Sequence, residues 1–532
     1  MTKYDALIIG GGHNGLVCAC YLARAGLKTR VLEAREIVGG AAVTEEFYPG
    51  FRNSTASYTV SLLHPKVISD LHLADHGLRI VERPISNFLP LSDSEYLKLG
   101  GGPAATRAQF AKFSQADADN LPAYEKMLDK AGDLLRDLLL VTPPNVGGGI
   151  SDIIRALKLG NRFRNLSLEE QRDLLELFTL SVGEMVERWF QSEPVKAAFG
   201  FDAIVGTFAS PYTPETAYVL LHHVVGEVNG KRGAWGHAIG GMGAITQAMA
   251  REAEALGVEI STSSPVADVS VKGGRATGVR LADGEEISAN IISSNIHPQL
   301  LFQKLIAAEN LAPEFLERIG RYQSSSATFR MNVALSELPD FTCLPGTECQ
   351  EHHQSGIIIA PSLQYLENAF FDARQHGWSK RPFVEIYIPS TIDDTLAPPG
   401  RHVASLFCQH FNKDLPDGKN WDDVREKVAD LIIDTVTEYA PNFKASILGR
   451  MILSPLDLER KLSLAGGDIF HGALRLNQLF SARPVLGYGD YRSPVKGLYM
   501  CGAGTHPGGG VTGIPGHNAA REILKDRRWR NV

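Results

Sequence analysis

Gly10, Gly12 and Gly15 fall in the spacing Gly-x-Gly-x-x-Gly, and Glu33 closes the segment Thr29-Arg30-Val31-Leu32 downstream. Residues of these types can seat a pyrophosphate on bare backbone and accept hydrogen bonds from a ribose diol. Gly10 makes the tight turn, Gly12 lets the backbone approach the phosphates, and Gly15 lets a helix pack on a strand. The elements that must position them are legible on either side. The apolar run from Ala6 to Ile9 reads as a buried parallel strand. Leu16 to Arg24 reads as a helix that stops at Gly26, and its free N-terminal N–H groups favour phosphate. Thr29 to Leu32 reads as the second strand. Glu33 would repel a 2′-phosphate.

The fingerprint alone allows NAD or FAD, and two further segments favour FAD. Directly after Glu33 comes Ala34-Arg35-Glu36-Ile37-Val38-Gly39-Gly40-Ala41-Ala42, whose glycine pair lets the chain pass close to a second phosphate or a ribityl chain. At the far end, Leu498 to Cys501 reads as a short strand. It leads into Gly502-Ala503-Gly504, Gly508-Gly509-Gly510-Val511-Thr512-Gly513 and a helix start around Pro515-Gly516. A helix beginning there aims its N-terminus at the flavin pyrimidine edge, and Pro515 suits its first turn.

On these segments and on Gly240 to Asn295, the chain resembles the FAD-dependent phytoene desaturase and carotenoid isomerase family, within the flavin amine oxidase-like superfold. The nearest subgroup is the one called pyridine nucleotide-disulfide oxidoreductase domain-containing protein 2. The resemblance is loose through the middle of the chain. It implies an α/β fold in which a Rossmann-type FAD-binding domain is interleaved with a mixed sheet-plus-helix substrate domain. It also implies that Gly10, Gly12, His13, Asn14, Gly15, Glu33, Ala34 and Arg35 hold the ADP half of FAD. Gly39, Gly40, Ala41, Ala42 and Val266 join the cofactor set, and Gly502, Ala503, Gly510, Val511 and Thr512 hold the flavin half. Two positions depart from the family: Ala41 replaces a usual basic residue, and Ala503 a common ribityl-binding acid.

Flavin chemistry removes a hydride from a C–H that is allylic, α to a carbonyl or α to an amine. His506, inside the C-terminal glycine loop, and Tyr58 are the candidate catalytic side chains; the alternatives are a loop histidine bonding backbone and an aromatic core residue. The expected enzyme is an oxidoreductase of desaturase, dehydrogenase or isomerase type acting on an apolar polyene or acyl substrate. An amine oxidase is the second reading, and a flavin-fold binding or scaffold protein without turnover the third. Oxygen or a quinone is the expected electron acceptor. The six cysteines form no Cys-x-x-Cys pair, which excludes the motif of disulfide reductases. No second nucleotide fingerprint is read, since Gly240-Gly241-Met242-Gly243 follows no clear strand. No metal site is expected: His222-His223 and His352-His353 are adjacent pairs, and neighbours on a helix or strand do not share a face.

The chain has 532 residues, 44% hydrophobic and 21% charged, with a net charge of −7. That is globular composition without a basic field for nucleic acid. The first strand starts close to Met1, so no leader segment is expected and the protein is expected to be cytoplasmic. The expected division is 1–90, 236–300 and 461–532 for the FAD-binding domain, 91–235 for a helical cap and 301–460 for a substrate domain built on strands Thr328 to Leu335, Phe383 to Ile388 and His402 to Gln409. The stretch 150–164 is amphipathic and basic. It reads either as a weak membrane-surface contact or as an ordinary cap helix with a solvated face. The oligomeric state is not readable.

Overall fold

The computed structural model describes residues 3–530. Two seven-stranded sheets organise the chain. In the first, Lys3–Ile9 lies between Thr29–Leu32 and Glu286–Ser294, parallel to both. Glu259–Ser261 extends one side, and Leu498–Met500 pairs in parallel with Glu286–Ser294. The hairpin Val266–Lys272/Arg275–Leu281 completes the sheet in antiparallel pairing. Strand alternation sends Ala6 and Ile8 to one face and Leu7 and Ile9 to the other. On the first face pack the helices His13–Arg24, Gly243–Ala255 and Ile514–Arg530. On the second pack Leu301, Phe302 and the helix Pro313–Gly320.

The second sheet runs Ile447–Leu453, Thr328–Leu335, His402–Phe411, Trp378–Tyr387, Gly356–Ile359, Asn87–Pro90, Tyr96–Leu99. Its inner strands Thr328–Leu335 and His402–Phe411 are almost wholly buried because both faces are covered there. Helix Trp421–Thr437 packs on one face and the cap helices on the other. The cap consists mainly of Gln115–Leu139, Leu168–Thr179, Val182–Trp189, Glu193–Ile204 and Ala217–Val224. Helix Ile150–Arg164 lies outside this core and has no buried residue.

Three details differ from the sequence expectation. Asn87–Pro90 and Tyr96–Leu99 belong to the second sheet, so that sheet recruits chain from both sides of residue 90. Gly240 does follow a strand, Gly236–Ala238, which pairs with Ile80–Glu82 and is too short to show a period. His352 and His353 do share a site. In the tight turn Glu351–Gln354 their rings lie against each other, centroids 3.9 Å apart and planes tilted by 39°.

Candidate functional site

The N-terminal glycine loop is held by its own acid. Glu33, buried at the end of its strand, accepts the Gly11 N–H at 2.7 Å on Oε2 and the Arg35 N–H at 2.9 Å on Oε1. One lone pair on each oxygen stays open to a further donor. A Cβ on Gly15 would fall on the Gly10 carbonyl oxygen, and one on Gly12 would meet Asn295 Nδ2 at 2.7 Å. Asn295 Nδ2 donates to the Gly10 carbonyl at 3.3 Å.

The glycine pair lies against this loop. The Gly39 N–H donates to Gly11 O at 2.9 Å, and the Ala42 N–H to Gly39 O at 3.0 Å. Thr246 Oγ1 donates to Ala42 O at 2.8 Å. Backbone N–H groups of Ser264 and Ser263 donate to Glu33 O and Arg35 O, each at 2.8 Å, which brings the start of the strand with Val266 beside Ala34. Around the loop, His13 Nε2, Asn14 Oδ1 and Arg35 Nη1 are buried without a hydrogen-bond partner. A backbone-lined cradle that a Cβ would fill, ringed by unmet polar atoms, fits a dinucleotide.

The C-terminal loop meets the same cradle from across the sheet. The Cys501 N–H donates to Ser294 O at 2.8 Å and sets Gly502 and Ala503 at the strand end. A residue that sequence reasoning missed, Arg483, organises this loop. Fully buried, it donates from Nε and Nη2 to Ala503 O at 3.1 and 2.8 Å, and from Nη2 to Phe470 O at 2.8 Å. Helix Ile514–Arg530 then crosses helix His13–Arg24 so closely that a Cβ on Gly516 would overlap the Asn14 carbonyl oxygen. Two helix N-termini thus point to one region.

Beyond the loops lies a chamber walled by His13, Ala41, Ala503, Gly510 and Val511 on the nucleotide side. On the other side stand Tyr58, Asp202, Arg330, Glu385 and Phe407. Strand register explains the grouping: Arg330 pairs with Phe407 and Phe407 with Glu385, one row across three strands and on one sheet face. The Tyr58 ring stacks over Phe407 at 5.9 Å and over the Arg330 guanidinium at 4.4 Å, and its hydroxyl donates to Glu385 Oε2. Burial raises the Glu385 carboxyl above its usual range. Burial and the Glu385 charge push Asp202 up to about 8. Burial holds His13 at about 3 and His471 at about 4, so both rings are neutral.

An apolar cavity of about 370 Å³ adjoins the chamber, with Leu62 and His222 in both walls. Leu135, Leu138, Leu139, Leu159, Phe163 and Phe178 line its cap side. The loop side carries Phe480, Pro507, Thr512 and His506. The structure therefore separates the two candidate catalytic side chains. Tyr58 is in the chamber, whereas His506 is in the apolar cavity with Nε2 3.0 Å from Leu138 O and its ring against Phe480. Burial lowers its pKa to about 4. This neutral, backbone-bonded ring positions the loop against the cap. The His223 side chain lies outside the described residues.

The comparisons with known proteins agree with this geometry. The family model described as flavin containing amine oxidoreductase matches residues 15–293. Pyridine nucleotide-disulfide oxidoreductase domain-containing protein 2 of Rattus norvegicus is 43% identical over 98% of this chain and 94% of its own length. A lycopene-forming phytoene desaturase of Paracoccus sp. is 25% identical over 96% of this chain and 95% of its own. Among solved structures, cyclohexylamine oxidase from Brevibacterium oxydans superposes with a TM-score of 0.58 at 16% identity, over 99% of this chain and 100% of that one, a likeness of fold.

Proposed function

Because the chain belongs to the flavin containing amine oxidoreductase family and is an FAD-dependent oxidoreductase, we propose that it removes a hydride from an activated C–H of an apolar, long-chain substrate. Bound FAD supplies the hydride acceptor. The chain's residues do the rest. The two glycine loops seat the nucleotide, the neutral rings of His13 and His471 keep the chamber free of added cations, and the leucine- and phenylalanine-lined cavity excludes water from the reacting carbon.

The carrying observation is the apolar cavity that meets the chamber at Leu62 and His222. It reaches Leu159 and Phe163 on helix Ile150–Arg164. That helix exposes Ile150, Ile153, Ile154 and Leu157 beside Arg155, Lys158, Arg162 and Arg164. The next helix exposes Leu168 and Leu175. We read this hairpin as a weak contact with an acidic bilayer, through which a lipid-soluble substrate enters. No helix among the described residues is long and apolar enough to cross a membrane. Oxygen or a quinone then receives the electrons.

An amine substrate fits less well, because Arg330 faces the chamber beside a largely protonated Asp202, while the charge of Glu385 is already met by Arg83, which lies over Tyr387 behind the chamber wall. The test is anaerobic mixing of oxidised holoprotein with isoprenoid alkenes, long-chain acyl compounds and primary amines. Bleaching of the flavin band by a long apolar compound supports the proposal. Bleaching by amines alone contradicts it.

A further inference from the structure

Resting on that apolar-substrate reading, we propose that Arg330 receives a carboxylate at one end of the substrate, so that the class is a long-chain carboxylic acid rather than a hydrocarbon or an amine. Arg330 is 1% exposed and lines the chamber. Nη2 donates to Ser405 Oγ at 2.5 Å, while Nε and Nη1 have no partner. A buried guanidinium with unmet donors is costly unless an acceptor completes it. The rings of Tyr58 and Phe407, 4.4 and 5.9 Å from the guanidinium carbon, stabilise its charge but leave the in-plane N–H groups of Nε and Nη1 unmet. Glu385 is in the same row, yet it is taken up by the Tyr58 hydroxyl and lies under the charge of Arg83.

Charge counting gives the sign of the ligand. Arg330 in the chamber and Arg83, which lies over Tyr387 and acts on Glu385 from behind the wall, contribute two positive charges. Asp202, pushed up to about 8 by burial and by Glu385, is protonated at neutral pH. With Glu385 fully ionised and offset by Arg83, the charge of Arg330 remains in excess. A carboxylate neutralises it, an alcohol leaves it, and an ammonium adds to it. The apolar cavity meeting the chamber at Leu62 and His222 is the place for the chain that such a head group carries.

Dodecanoate, dodecan-1-ol and dodecylamine, titrated into oxidised holoprotein at pH 7 by calorimetry, separate these cases. Dodecanoate is expected to bind at least tenfold more tightly than either other compound. Arg330→Met is expected to erase that preference with FAD content unchanged, and Arg330→Lys to keep part of it. The wild-type comparison needs no variant to fold. Equal binding of acid and alcohol overturns the acid subsite and leaves the apolar-substrate reading standing, whereas absence of binding by all three overturns both. Loss of FAD in Arg330→Met with the acid preference intact overturns the assignment and makes Arg330 a cofactor contact.

Discussion

Replacing Glu33 with alanine removes two acceptors at once from the glycine loop. Its oxygens take the N–H groups of Gly11 and Arg35 at 2.7 and 2.9 Å, in a site where the side chain is almost fully buried. Hydrogen bonds to an ionised acceptor contribute about 1.5–3 kcal/mol each, so the loop loses roughly 3–6 kcal/mol of its order before any ligand is considered. A ribose contact of the same kind adds about 1.5–3 kcal/mol, ten- to hundredfold in affinity. Because the loop must reorder on binding, the effects compound, and an FAD Kd at least a hundredfold weaker is expected. Glu33→Gln keeps one acceptor and turns an amide N–H toward the other donor, so about half the loss is expected. The assay is fluorescence titration of apoprotein with FAD, with thermal unfolding of the same apoprotein alongside. Alanine should lower both affinity and apoprotein Tm. An FAD Kd within twofold of wild type would refute the reasoning, whatever happened to stability.

Gly516→Ala places a Cβ on the Asn14 carbonyl oxygen and forces the two helices apart, so purified protein should carry less than half the wild-type FAD, read from the flavin absorbance per chain. Asp202 has its pKa raised from 3.8 to about 8 in the fold. The unfolded chain therefore releases this proton first as pH rises, and the group destabilises the protein progressively between about pH 4 and 8. Asp202→Asn removes that penalty, on the order of a few kcal/mol at pH 8. Its Tm advantage over wild type should grow from pH 5 to 8 and then level off, and a gap that shrinks with pH would contradict the buried, protonated carboxyl. NADH and NADPH are expected to leave the oxidised flavin unbleached under anaerobic mixing, since one fingerprint is present and it is assigned to FAD; rapid saturable bleaching by either would point to a reductase.

The nucleotide cradle was legible because its demands are local. Gly15 answers the Gly10 carbonyl within its own loop, and Glu33 bonds Gly11 across one helix and one strand; the closest neighbours of Gly10 and Gly12, Ile296 and Asn295, come from a distant strand end and left no trace in the local pattern. The chamber was not legible in that way. Arg330, Glu385 and Asp202 come from three distant segments: the pairing of Thr328–Leu335, His402–Phe411 and Trp378–Tyr387 aligns Arg330 with Glu385, and the cap helix Glu193–Ile204 brings Asp202 to them. The sequence did carry a signal for two of them: Arg330 and Glu385 are each the one charged residue within a mainly apolar buried run, Thr-Phe-Arg-Met-Asn-Val-Ala-Leu and Pro-Phe-Val-Glu-Ile-Tyr. A charge placed there has to meet a partner or a ligand. Arg483 had no such signal, because it follows a single 3₁₀ turn, Phe480–Ala482, with no period to read, and its partners are backbone carbonyls. His506 sits in a glycine-rich loop that suggested chemistry, yet its bond goes to Leu138 in the cap, a contact no local pattern announces.

The most direct test of the central claim is an anaerobic turnover with limiting holoprotein and a long-chain apolar substrate, in which flavin absorbance and the mass of the organic product are followed together. The account predicts one flavin bleached per product molecule, with the product two hydrogens lighter than the substrate. Flavin that bleaches only with amines and yields ammonia, or that never bleaches with any long-chain compound although FAD is bound, would contradict it.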